Sequence, residues 1–152
     1  MVKVKIPKPY QLWLYSILAV SWCSGTTFFI LHTWFMVEGK YGLVKHSWQF
    51  PALQIHGAAA FLMMVSFGFL LGSHVPRSWK VSPKRKLGIA LVTIITFQMI
   101  TAYSLYYIAQ DEPRVIVAYA HLAVGFIFPI ILILHIIAKK KAQKKHRQKH
   151  IK

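Results

Sequence analysis

Five histidines stand in or at the ends of long apolar stretches of this chain: His32, His56, His74, His121 and His135. Neutral imidazole is a good ligand for transition metals, and histidine titrates closest to neutrality of the common side chains. Ionisable groups inside a bilayer are costly, so they tend to face the interior of a bundle and to serve a function. The four apolar stretches contain no Asp, Glu, Lys or Arg. Titratable chemistry within them therefore falls to histidine, beside Cys23 and the tyrosines. A proton or ion carrier would be expected to use carboxylates as well, which counts against a transporter.

The spacing of four of these histidines suggests two levels of one binding arrangement. His121 and His135 are 14 residues apart, which on an α-helix is close to four turns and about 21 Å of rise. His56 and His74 are 18 residues apart, five turns and about 27 Å of rise. Each pair thus lies on one stripe of its helix. If both helices run in the same direction, His56 matches His121 near one face and His74 matches His135 near the other. Two imidazoles facing each other at one level can ligate a haem iron from both sides. Two levels would hold two stacked haems, b-type because no C-x-x-C-H motif for covalent attachment occurs. Gly57, Ala58, Ala59 and Ala60 after His56, and Ala123 and Gly125 after His121, leave room for a flat macrocycle, although small residues also simply let membrane helices approach.

With these paired histidines the chain resembles the four-helix di-haem membrane cytochromes b of the cytochrome b561 and formate dehydrogenase–hydrogenase cytochrome-subunit type. The spacing His121…His135 looks like that of one ligand helix in such proteins, and is similar to the pairing in the cytochrome b of quinol–cytochrome c reductases. The resemblance covers the helical region and rests on a sparse pattern. It implies an electron-transfer subunit of a respiratory chain, linking a quinone pool to other redox subunits or a multihaem cytochrome, rather than a stand-alone enzyme. The His56…His74 spacing departs from it by one turn, so helix 2 is expected to tilt or to unwind near Gly72. His32 adds an ambiguity: it can serve as an alternative outer ligand or as a hydrogen-bond partner of a haem propionate. A haem-free membrane anchor, or a quinone-binding subunit, is the competing reading.

The elements that must position these residues are four apolar runs, Leu12–Met36, Ala52–His74, Leu87–Ala109 and Val115–Ala138. Each is long enough to cross a hydrocarbon core that needs about 20 residues of helix. Apolarity along them is continuous rather than alternating, so helices are expected and not barrel strands. Of the 152 residues 56% are hydrophobic and only 14% charged, with a mean hydropathy of +0.47. A soluble domain carries about 25% charged residues. The expected fold is an all-α, integral membrane four-helix bundle over residues 1–138, followed by a basic tail, 139–152, that is solvated or touches anionic headgroups.

Lysine and arginine set the expected orientation. Three lie before helix 1 (Lys3, Lys5, Lys8), five between helices 2 and 3 (Arg77, Lys80, Lys84, Arg85, Lys86), and eight from Lys139 to Lys152. Only Lys40, Lys45 and Arg114 lie on the other side. By the positive-inside rule both termini are cytoplasmic and the chain is a multi-pass protein of the inner (cytoplasmic) membrane. The net charge of +16 is spread over these flanking blocks, an arrangement that argues for lipid and against nucleic acid as the partner. Tyr10, Trp13 and Trp79 at one edge, and Trp34, Tyr41, Trp48, Tyr106 and Tyr107 at the other, read as interfacial anchors. Asp111 and Glu112 are expected to begin helix 4 and to complement its dipole. His46, in the outer loop, reads as a solvated residue or a quinone or partner contact.

Overall fold

Long apolar segments have one way to satisfy every backbone polar group without water, the intrasegment ladder of an α-helix, and the chain folds accordingly. The computed structural model describes residues 6–81 and 86–149, with side chains over 6–78 and 86–141. Lys3, Lys5, Lys84, Arg85 and His150, and the side chains of Trp79, Lys80 and His146, lie outside what is described. Four helices account for most of the chain: α1 (Lys8–Trp34), α2 (Gln49–Val81), α3 (Lys86–Tyr107) and α4 (Asp111–Lys149). All four are long and apolar enough to cross a membrane. The fold is thus helical as expected, and lipid is the natural surrounding of these helices.

Burial supports the same conclusion from the inside. The few buried residues are as often polar as apolar: Ser24, Gln49, Ser66 and Thr101 beside Ile17, Ala52, Ala59 and Phe67. Large apolar side chains such as Phe61, Val65, Ile116 and Ile130 stand exposed along the helices. In water this would be inverted; in lipid, where apolar contact between helices has no special advantage, hydrogen bonds and small residues hold helices together.

The chain divides into two compact units, Met1–Val81 and Ser82–Lys152. In the first, α1 packs on α2. Near the start of α1 the Tyr10 hydroxyl donates to the Ser66 carbonyl at 2.7 Å and the Trp13 indole donates to the Ser66 hydroxyl at 3.3 Å. The Tyr10 ring also meets Phe69, 5.2 Å between centroids. Both aromatics therefore clasp α2, beyond the anchoring expected of them.

The segment read as an outer loop, Val37–Pro51, has structure of its own. Strands β1 (Met36–Gly39) and β2 (Gly42–Lys45) form an antiparallel hairpin with Val37 opposite Val44 and Glu38 opposite Leu43. Its turn places Gly42 at φ +121°, a conformation that L side chains rarely adopt. Because β1 begins at Met36, α1 ends at Trp34, two residues before the expected span limit. His46 then closes the entry into α2: the Trp48 amide donates to its Nδ1 at 3.2 Å and the Gln49 amide donates to its carbonyl at 3.0 Å.

In the second unit α3 packs on α4, and the turn between them is tied by Arg114, whose guanidinium donates to the carbonyls of Leu105 at 2.8 Å and Ile108 at 3.2 Å. Those carbonyls belong to the end of α3, where intrahelical donors run out. Asp111 and Glu112 occupy the first turn of α4, as expected. With 39 residues, α4 is about 58 Å long, well beyond a core of about 30 Å, and the basic tail continues it as helix to Lys149.

The two helices that carry paired histidines each contain an internal proline, Pro76 in α2 and Pro129 in α4. A proline inside a helix has no amide for the carbonyl four residues back. Those positions are Gly72 and Gly125. α2 continues as helix through Gly72, so the unwinding expected there is not seen, although the Gly72 carbonyl lacks the amide that residue 76 would otherwise supply.

Candidate functional site

Two histidines are seated in the same manner, one in each unit. In the first, His56 of α2 lies against α1. Its Nδ1 is 2.8 Å from the Ser21 carbonyl. A carbonyl only accepts, so Nδ1 carries the proton and a neutral ring has its lone pair on Nε2. The Ser24 hydroxyl is turned to the Val20 carbonyl, 2.6 Å away. Gly25 completes the seat: a Cβ there would lie 2.8 Å from both Cε1 and Nδ1 of His56. The ring fits because residue 25 has no side chain.

In the second unit His121 of α4 lies against α3, and its Nδ1 is 2.8 Å from the Thr101 hydroxyl. Thr101, 7% exposed, also reaches the carbonyls of Phe97 at 2.9 Å and Gln98 at 3.1 Å. One turn beyond His121, a Cβ on Gly125 would lie 2.8 Å from the Gln98 amide nitrogen. The Gln98 Oε1 is buried and finds no hydrogen-bond partner among the described residues.

The other three histidines are held differently. His32, on α1, stacks on Phe28 at 5.6 Å and 13°. Its Nδ1 faces the Gln49 amide nitrogen at 3.0 Å. An amide NH₂ only donates, so Nδ1 accepts and the neutral ring carries its proton on Nε2. That suits a donor to a carboxylate, such as a propionate; ligation through Nε2 requires the Gln49 amide to turn over, so that its oxygen accepts from Nδ1. Gln49 is 6% exposed, and its Oε1 is a second buried oxygen with no partner among the described residues. His74 meets the Ser78 hydroxyl through Nε2 at 3.1 Å, within its own helix; ligation through Nε2 requires that hydroxyl to rotate away. His135 is half-buried on α4, with Gly88 of α3 leaving ordinary contact space beside its Cε1, 3.9 Å from a Cβ built there.

An axial ligand to haem iron needs a neutral imidazole whose distal nitrogen bears the lone pair and whose other N–H has an acceptor. His56 meets this by geometry alone. His121 meets it when Thr101 accepts from Nδ1 and sends its own hydrogen to Phe97 or Gln98. His56, and His121 in that arrangement, each have the Nδ1 contact that an imidazole ligating through Nε2 would use. No group of three or more His, Cys, Asp or Glu that would hold a bare metal ion occurs among the described residues.

Sequence reasoning singled out the histidines and missed their partners. Ser21 meets His56 chiefly through its carbonyl at 2.8 Å, with its hydroxyl further off at 3.5 Å, and a main-chain contact is one that no side-chain pattern reveals. Thr101, Gln49 and Gln98 are ordinary polar residues in helices, and only Gln49, two turns before His56, stands at a helical interval from a histidine.

No protein-family model, curated protein or solved structure matches this chain. What fold and composition define is a class: a multi-pass membrane protein of four spanning-length helices, with histidines seated by their Nδ1 nitrogens.

Proposed function

We propose that this chain is a b-type cytochrome membrane subunit that passes electrons between the quinone pool and a partner redox protein, such as another subunit of a respiratory complex or a multihaem cytochrome. His56 and His121 would hold one haem and His74 and His135 the other, the pairing that their spacing suggests. The observation that carries the reading is the 2.8 Å contact from His56 Nδ1 to the Ser21 carbonyl, which leaves a neutral ring in the tautomer that iron requires. Haem b, when bound, supplies the one-electron chemistry. The protein's own residues then have four tasks. His56 and His121 donate their Nε2 lone pairs, and Ser21 and Thr101 hold those rings in one orientation. Gly25 and Gly125 keep the neighbouring helix surfaces low. His32 offers its Nε2 proton to a propionate.

By the positive-inside bias the protein sits in the inner (cytoplasmic) membrane with both termini in the cytoplasm. Exposed apolar surface on all four helices supports a chain that contacts lipid and partner subunits rather than one that acts alone on a soluble substrate.

The test is the absorption spectrum of the detergent-purified protein, oxidised and dithionite-reduced, with a pyridine haemochrome assay. A sharp b-type reduced α-band with two haems per chain is expected. A single haem keeps the His56–His121 level and removes the other. A haem-free protein, prepared with haem supplied and partners retained, leaves a membrane anchor as the reading. One observation favours that second reading: Ser78 already engages His74 Nε2.

A further inference from the structure

The two seated histidines are not equivalent, and the difference lies in what accepts their Nδ1 hydrogen. His56 has a main-chain carbonyl, which no substitution of residue 21 removes. His121 has the side-chain hydroxyl of Thr101, buried at 7% exposure and 2.8 Å away. We propose that Thr101 is a positioning residue for the ligand His121: its hydroxyl fixes the plane of that imidazole and strengthens its donation to iron, and so sets the reduction potential of one haem separately from the other. This inference rests on the cytochrome reading above.

Proton bookkeeping makes the arrangement one-directional once Nε2 is committed to iron. The remaining ring hydrogen must then sit on Nδ1, and Thr101 Oγ1 must accept it. The hydroxyl has a single hydrogen of its own, and it goes to the Phe97 carbonyl at 2.9 Å or the Gln98 carbonyl at 3.1 Å. Both lie one turn back on α3, so the ring is tied through one oxygen to a rigid backbone. An accepted hydrogen bond at Nδ1 raises the ligand's basicity and favours the oxidised iron. A hydroxyl is a weaker acceptor than an amide carbonyl and, unlike it, can be exchanged. Gln98, one turn before Thr101, fills the space that Gly125 leaves, and Thr101 itself is buried.

The experiment compares the full-length wild type with Thr101→Val, Thr101→Ala and Thr101→Ser, each purified in detergent. Haem content, the low-spin ferric EPR signal and a redox titration are recorded. Wild type and Thr101→Ser should agree. Thr101→Val should retain its haem at first, with one of two EPR signals moved and one of two midpoints shifted to higher potential. Haem loss to apomyoglobin should be faster, about tenfold or more, as for other residues that support a ligand. Should Thr101→Val fail to accumulate, Thr101→Ala removes the same hydroxyl without adding bulk and must show the same shift. Unchanged midpoints and EPR signals in a haem-loaded Val or Ala variant overturn the proposal. So does a Thr101→Ser protein as perturbed as Thr101→Val, which would assign the effect to packing. A wild type that binds no haem overturns the cytochrome reading, and this inference with it; a loaded wild type beside an unaltered variant overturns this inference alone.

Discussion

At the scale of single residues, the absence of a side chain is as consequential as the presence of an imidazole. Gly25 has a ring against it where a Cβ would come within 2.8 Å, a distance that real Cβ contacts essentially never show, so Gly25→Ala must displace His56 or part α1 from α2. The expected result is a protein that still inserts but has lost the haem of that level, read as a lower haemochrome ratio and a missing EPR signal. Gly68, with open space around its Cβ position, is the control, and Gly68→Ala should leave both unchanged. The histidines themselves were legible because ionisable residues are rare in apolar runs and their spacing is simple helical arithmetic. Their tautomers were not, since these depend on a carbonyl in one unit and a hydroxyl in the other, brought near only by the pairing of helices. His32 shows the same limit. Its sequence position fits a ligand as well as a propionate partner, and the Gln49 amide beside its Nδ1, which bears on that choice, is brought there only by the fold.

Elements carry their own determinants. The spans were legible from hydropathy, because lipid demands a continuous apolar surface. The hairpin of β1 and β2 was not: each strand has four residues, too few for alternation to register, and its apolar residues extend an already apolar run. Tyr10 and Trp13 were legible as interfacial aromatics, but their bonds to Ser66 needed the packed helices. Removing the Tyr10 hydroxyl as Tyr10→Phe keeps the ring against Phe69 and deletes one interhelical hydrogen bond. Such bonds in membrane proteins contribute about 0.6 kcal/mol on average, so a modest loss in SDS-titrated unfolding is expected, with haem content unaffected. Arg114 was counted only as an outer charge, whereas it caps the end of α3. Arg114→Ala should weaken the α3–α4 turn by about 0.3–1 kcal/mol, the usual effect of a cation at a helix C-terminus. Arg114→Lys should recover part of this, because a single ammonium cannot reproduce the guanidinium's reach to two carbonyls.

For the whole molecule the decisive quantity is the distribution of charge about the spans. Sixteen Lys and Arg fall before the first apolar span, between the second and third, and after the fourth, against three between the first and second and between the third and fourth. Each of the three basic blocks adjoins the end of an apolar span, where the positive-inside bias acts most strongly. If all four helices cross the membrane, the two ends of the chain fall on one side, and the three blocks would then act together with no single one dominating. Reporter fusions check the result. A fluorescent protein after Lys152 should be bright, since it folds in the cytoplasm, and alkaline phosphatase inserted between Lys40 and Tyr41, at the exposed hairpin turn, should be active outside. That outcome assigns His56 and His121 to the outer half of the membrane and His74 and His135 to the inner half, so the haem governed by Thr101 would face the outer side. Replacing the tail lysines 139–141, 144 and 145 with glutamine weakens the bias: it removes five of the sixteen charges and leaves eleven against three. The orientation should therefore persist. An inverted tail-depleted variant would show that the C-terminal block alone holds the topology, and the haem levels would have to be assigned by measurement in each variant.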